Sequence, residues 1–219
     1  MKHKEPNAPE VYYPAFLNLK NKKTVVVGGG KVAERKILSL LKAGSDVKVI
    51  SPYLTKRLEK EKLRGRIEHI PRQYRKGDLK SVFLVIAATD SGVINERVSK
   101  DAPYLVNVVD TPHLCNFIVP SIVNRGLLTI AVSTSGVSPG LSRSIRKELE
   151  KLYGPEFANY LKSVKVIRAK ALKLIQDKKK RGELLKAIAS EKMIEMLRIK
   201  GLSKTEKVAV DLFKKARAT

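Results

Sequence analysis

The chain is short of cysteine, aromatic residues, acidic residues and long apolar runs, and each shortage removes a class of protein. Of its 219 residues only Cys115 is a cysteine, so neither an internal disulfide framework nor a multi-cysteine metal site can form. There is no Trp and aromatics make up 5%, which leaves little on which single-stranded nucleic acid could stack. No stretch approaches the ~18 consecutive apolar residues of a membrane span. The opening MKHKEPNAPE lacks an apolar signal core, so a cytoplasmic protein is expected. Acidic residues number 21 against 45 Lys and Arg, a net charge of +24. The excess is densest late in the chain: 26 Lys/Arg face 14 Asp/Glu in residues 1–150, and 19 face 7 in residues 151–219. Such a balance suits a nucleic-acid partner, a polyanionic substrate or a solvated lysine-rich surface, the last being the commonest.

What is present is a core-forming 43% of hydrophobic residues and one organising stretch, KTVVVGGGKVA at residues 23–33. Val25, Val26 and Val27 are a β-branched run suited to a buried parallel strand. Gly28, Gly29 and Gly30 follow, and then Val32, Ala33, Ile37, Leu38, Leu40 and Leu41 recur at helical spacing up to a cap at Gly44. Strand, glycine turn and helix in that order fit G-x-G-x-x-A, a dinucleotide-binding turn. Gly28 lets the chain leave the strand sharply, Gly30 lets backbone approach a diphosphate, and Ala33 lets the helix pack close to the sheet. The helix N-terminus offers N–H groups to the phosphates. An ordinary tight turn without a ligand is the competing reading.

The rest of the chain continues the alternation. Val47–Ile50 is a strand, followed by Ser51-Pro52 where many NAD-binding proteins carry an acid on the ribose. No carboxylate marks NAD there, and Lys56 and Arg57 lie slightly farther on, so NAD is expected with NADP left open. A helix at Leu54–Leu63 and a strand at Ile67–Ile70 come next. The strand Val82–Ala88 leads into Thr89-Asp90-Ser91, able to cap a helix over Val93–Lys100. Loops after the carboxyl ends of parallel strands face the ligand. The expected cofactor contacts are therefore Gly28, Gly29, Gly30, Lys31 and Val32 at the turn, Ser51 and Pro52, and Ala88, Thr89 and Asp90. Asp110 closes a fifth strand, Leu105–Val109. A carboxylate there can take a proton while the dinucleotide takes hydride, or it is a turn aspartate in Asp110-Thr111-Pro112.

Beyond residue 114 the pattern changes. Tyr12–Leu17 is read as an anchor of the leading segment, able to pack on the sheet edge. Leu127–Val132 is a strand after a turn at Asn124-Arg125-Gly126. Ser138 and Pro139 start a helix over Leu141–Leu152, and the hydroxyls of Ser133, Thr134 and Ser135 precede it. Gly154-Pro155 breaks the chain. Basic helices are expected over Glu156–Lys180, Glu183–Lys200 and Ser203–Ala216, the last with Ser203 and Glu206 as a capping box.

Four segments in order, VVVGGGKVAERK at 25–36, IAATD at 86–90, NVVDTPHLCNFIVPSIV at 107–123 and AVSTSGVSP at 131–139, resemble the precorrin-2 dehydrogenases of siroheme synthesis, some of which are also sirohydrochlorin ferrochelatases. The resemblance runs over about residues 12–153; the helical C-terminus matches in size and character only. It implies an α/β fold with a Rossmann-type NAD-binding domain at 1–113, a central dimerisation segment at 114–153 and a small basic all-α domain at 154–219. It implies a homodimer that oxidises precorrin-2, an anionic tetrapyrrole, to sirohydrochlorin with NAD. The family's key aspartate falls on Asp110, and the serine of its V-S-S-G pattern falls on Thr134, a departure that keeps a hydroxyl. His113 and Asn116 are expected to line the substrate cleft with Ser133, Thr134 and Ser135, although a surface-loop role for His113 competes. No metal ligands are read from the sequence. Iron insertion, with Asp110 accepting pyrrole protons, is the alternative activity. A dinucleotide-sensing or nucleic-acid-binding regulator built on the basic C-terminus is a third reading, and it leaves NVVDTPHLCNF unexplained. Nothing in these residues resembles the methyltransferase domain fused to some family members.

Overall fold

The computed structural model describes residues 12–218; the MKHKEPNAPE segment lies outside them. The chain divides into two compact units, Met1–Val119 and Pro120–Thr219.

In the first unit five parallel strands stand in the order β3-β2-β1-β4-β5. They are β1 (Lys23–Val27), β2 (Asp46–Ile50), β3 (Ile67–Ile70), β4 (Leu84–Ala87) and β5 (Leu105–Val108). The helices α1 (Lys31–Lys42), α2 (Lys56–Leu63) and α3 (Gly92–Asp101) connect them. This is the expected doubly wound arrangement. Both faces of the sheet are covered, which is why its strands read as unbroken apolar runs. On β1 the alternation sends Val26 to the α1–α2 face, with Ile37, Leu40 and Leu58. Val25 and Val27 go to the α3 face with Val85 and Val98. The chain crosses from β3 to β4 on the far side of β1, so β1 and β4 flank the point where strand order reverses, the place where such sheets bind ligands.

Helix ends follow local chemistry. Gly44 stands in the left-handed region (φ 76°) just past α1, and Thr55 caps α2 by accepting from Leu58 N–H. Ahead of β1, Leu19 is buried in the core, whereas Tyr13, Phe16 and Leu17 are exposed. Leu19 is therefore the buried anchor of this segment, and Tyr13 and Phe16 do not pack on the sheet edge.

The second unit opens with an antiparallel hairpin, β6 (Ser121–Arg125) and β7 (Leu128–Val132), in which Arg125 pairs with Leu128. The turn is thus Gly126-Leu127, one residue later than expected, with Gly126 at φ 64°. Strand β6 was not read from the sequence. Helices α4 (Pro139–Leu152), α5 (Pro155–Leu174), α6 (Lys178–Ile188) and α7 (Glu191–Ala218) follow. Ser138 caps α4 as expected.

In the last three helices the first break and the start of the second helix differ from the expectation, while the break between Lys200 and Ser203 falls as expected, at Gly201. The helix expected over Glu156–Lys180 stops at Leu174, because Ile175 turns into the core and Asp177 caps a new helix from Lys179 and Lys180 N–H. Gly182, expected between helices, lies inside α6. Gly201 (φ 75°) interrupts α7. The Ser203–Glu206 capping box does not form. Thr205 donates to Gly201 O instead, and the Glu206 carboxylate accepts from the Ser163 hydroxyl. Phe157, Tyr160, Ile167, Leu184, Met193 and Leu197 build the core of this unit.

Candidate functional site

In a parallel sheet all strands deliver their carboxyl ends to one rim, so the glycine turn and the loops after β2, β4 and β5 share that rim. At the turn, Gly28 (φ 119°) donates its N–H to Ile50 O at 2.9 Å. A Cβ on Gly28 would stand 2.3 Å from Ala88 O, and one on Gly29 would stand 2.1 Å from Tyr53 O. These two glycines are demanded by the protein itself. Gly30 differs: its φ is −79° and a Cβ would meet nothing within 4 Å. Ala33 is fully buried against the sheet. Helix α1 has no side-chain cap, so its first N–H groups are left for a partner. Lys31 and Val32, at its start, are exposed. Open space beside Gly30, at an uncapped helix N-terminus, fits the diphosphate of a dinucleotide.

After β2, Ser51 is buried and donates its hydroxyl to Tyr53 O at 2.8 Å. His69 Nε2 lies 2.9 Å from Ser51 O. Ser51 thus shapes the loop behind Gly29, and Pro52 beside it is exposed. After β4, Ala88 N–H donates to Val27 O at 2.8 Å, tying this loop to the glycine turn. Thr89 donates its hydroxyl to Asn95 Oδ1 at 2.8 Å and accepts from Ser91 N–H at 3.2 Å. Ser91 is the cap of α3, and Asp90 is exposed. Asn95, buried on α3, returns its Nδ2 to Thr89 O at 3.0 Å; sequence reading passed over it, and its one signal is an amide on a helix's inner face.

After β5, Asp110 stands exposed with φ 57°, a conformation that Asp tolerates better than most residues. Thr111 N–H returns to Val108 O at 3.3 Å. Pro112–Leu114 is a short 3-10 turn that carries exposed His113. The next residues cover the open edge of β5. Asn116 accepts from Val106 N–H at 2.8 Å and donates its backbone N–H to Val106 O at 3.0 Å. Its Nδ2 donates to Tyr104 O at 2.5 Å. Cys115 Sγ accepts from Val108 N–H at 3.1 Å. The Asn116 amide, expected in the substrate cleft, is therefore occupied at the sheet edge. Lys36 of α1 was missed as well. Burial pulls its ammonium below the usual lysine range and neighbouring Arg35 adds to this, while Cys115 and Asp110 oppose it. That opposition places Lys36 within electrostatic reach of Asp110.

Ser133, Thr134 and Ser135 lie in the second unit, between β7 and α4. Thr134 donates its hydroxyl to Ser138 O at 3.0 Å and accepts from Ser138 N–H at 3.1 Å. Ser133 Oγ accepts from Ser135 N–H at 3.0 Å, with Ser135 at φ 50°. Thr134 holds the loop, and Ser133 and Ser135 are exposed. Among the described residues no group of three or more His, Cys, Asp or Glu gathers to hold a metal ion, and no helix is long and apolar enough to cross a membrane.

Comparison with known proteins agrees with this geometry. Residues 15–121 match the family described as putative NAD(P)-binding, and residues 125–152 match the sirohaem biosynthesis protein central family. The siroheme synthase of Methylobacillus flagellatus is 46% identical over 142 residues, covering 64% of this chain and 30% of that protein. The siroheme synthase of Thioalkalivibrio sulfidiphilus is 36% identical over 211 residues, covering 95% of this chain and 42% of that protein. The chain thus spans less than half the length of these curated relatives. The solved structure of SirC, a precorrin-2 dehydrogenase, superposes with a TM-score of 0.80 at 25% identity, over 93% of this chain and all of that one. Together, the matched family and the glycine turn assign a nicotinamide dinucleotide as the cofactor class.

Proposed function

We propose that the chain, which resembles siroheme synthases in sequence and a precorrin-2 dehydrogenase in fold, removes two hydrogens from precorrin-2, giving sirohydrochlorin, with NAD as oxidant. One observation carries the reading: Gly30, open at an uncapped helix start, and Asp110, an exposed carboxylate, stand on the same rim with only β4 between their strands.

Gly28, Gly29, Gly30, Lys31 and Val32 would hold the diphosphate, and the loops of Ser51-Pro52 and of Ala88, Thr89 and Asp90 would bound the dinucleotide. A nicotinamide bound there supplies the hydride acceptor. Asp110 Oδ accepts the proton that leaves the substrate carbon as hydride departs, so two hydrogens go as one hydride and one proton. Lys36 gives the anionic macrocycle a cation beside Asp110. His113 stands exposed on the first unit, where it can meet the macrocycle's carboxylates, and Asn116 keeps its loop in shape; on the second unit Ser133 and Ser135 expose hydroxyls suited to the same chemistry, and Thr134 keeps their loop in shape.

The segment 114–153 serves as a dimer contact. The hairpin β6–β7 supports this, since a two-stranded sheet is marginal alone. Its Ile122 and Leu127, and Leu141 of α4, stand exposed. Purified protein given precorrin-2 and NAD should produce NADH and sirohydrochlorin together in equal amounts. No turnover with either NAD or NADP rejects the assignment.

A further inference from the structure

In the first unit a cavity of about 420 Å³ lies between the loop from β3 to β4 and the last turns of α3, lined by Tyr74, Arg75, Lys76, Arg97 and Asp101. Asp101 ends α3 just ahead of β5, so this is the amino rim of the sheet, opposite the glycine turn. Residues 71–83 connect β3 to β4 without a helix or strand, and loops of that length commonly carry function. This loop is stiffly built. Asp78 accepts both arms of the Arg72 guanidinium at 2.8 Å and the Arg75 N–H at 2.8 Å. That guanidinium holds the Asp78 carboxyl below the usual carboxylate range. Leu79 and Val82 are buried in the core, and Tyr74 packs against it. Arg75 and Lys76 are therefore presented from a fixed frame.

Arg97 and Asp101 stand four residues apart, neighbours on one face of α3, yet they form no ion pair. Tyr74 donates its hydroxyl to Asp101 Oδ2 at 2.7 Å. Burial, together with this bond, pushes the phenol above the usual tyrosine range, so it remains a donor. Asp101 is thus engaged, and Arg97 is left without its natural partner. Arg75 and Lys76 form no ion pair among the described residues either. Three cations around one cavity, against one engaged acid, make a bay of positive potential. Arginine brings a planar fork that matches oxyanions, and lysine a point charge. The volume falls in the range of small-ligand sites. Helix α3 is about 15 Å long, so the bay stands a helix length from Thr89 and Asn95 and shares no residue with the site at the glycine turn.

We propose that this bay is a second binding site, for a small polyanion bearing phosphate or carboxylate groups, with Arg75, Lys76 and Arg97 as its ligands. The site stands or falls independently of the dehydrogenase reading. It is tested by calorimetric binding of inorganic phosphate and of citrate, at constant ionic strength, to wild-type protein, to the Lys76→Ala/Arg97→Ala double variant and to Asp101→Asn. Lys76 and Arg97 are exposed, and an amide at position 101 still accepts the Tyr74 hydroxyl, so both variants keep the fold. At least one of the two anions is expected to bind the wild type, and the tighter one names the group the site prefers. The double variant is expected to bind it about tenfold more weakly or worse, the worth of one good charge-assisted contact. Asp101→Asn is expected to bind it more tightly, because the one facing negative charge is gone. Unchanged affinity in the double variant puts the anion at the glycine turn or on the basic surface at large and overturns the proposal. Binding of neither anion by the wild type overturns it as well, and so does an Asp101→Asn variant that binds no more tightly than the wild type.

Discussion

Three consecutive glycines look interchangeable, and their surroundings separate them. Gly28 combines a φ of 119° with an Ala88 carbonyl 2.3 Å from any Cβ. Gly28→Ala should therefore cost about 3 kcal/mol or more, read as a lower denaturation midpoint. Gly30 has an ordinary φ and empty space beside it, so Gly30→Ala should melt within a few degrees of wild type. It should nonetheless lose most dinucleotide affinity, because the methyl occupies the diphosphate's approach. Calorimetry and thermal melting on the same samples check both; a Gly30→Ala variant that binds NAD normally removes the turn from the binding site. The pattern G-x-G-x-x-A was legible in the sequence, but the division of labour within it was not. It depends on which backbone comes near, and that is decided by Ala88 and Tyr53, far along the chain. Asn95 and the backbone-bonding roles of Cys115 and Asn116 escaped for the same reason: side chains bonded to another element's backbone leave no periodic trace.

Elements of the first unit were legible because a strand buried on both faces needs apolar residues throughout and ends where glycine, proline or a capping hydroxyl stands. The helical unit was less legible. Its break at Ile175–Asp177 has neither glycine nor proline, and it is made by Asp177 capping and Ile175 turning inward. Strand β6 hid because Ser121–Arg125 has only one fully buried side chain, Val123. Within this unit Tyr160 of α5 donates its hydroxyl to Ile188 O of α6 at 2.7 Å, and burial holds the phenol up at about 12. An unfolded tyrosine titrates at about 10, so folding favours the protonated phenol. Its contribution to stability is complete below about pH 10 and is lost as pH rises from there towards 12. Tyr160→Phe should cost about 1 kcal/mol at neutral pH and lose stability less steeply above pH 10. Urea midpoints of the two proteins across that range check it; parallel slopes would show that the hydroxyl is not held.

For the whole molecule, the net charge of +24 suits an anionic substrate. The proposed dimer predicts a light-scattering mass of twice the chain's 24.4 kDa, and a mass of one chain would remove the dimer role from residues 114–153. The central claim joins a dinucleotide and one carboxylate on a single rim, and Asp110→Asn isolates that carboxylate. Asn tolerates the left-handed backbone as well as Asp does, so fold and NAD affinity should persist. The most direct measurement is therefore NADH formation from precorrin-2 and NAD by wild type and Asp110→Asn side by side. Turnover by the wild type and a rate lower by about 10²-fold or more in the variant is the predicted result; equal rates, or no NADH from the wild type, would contradict it.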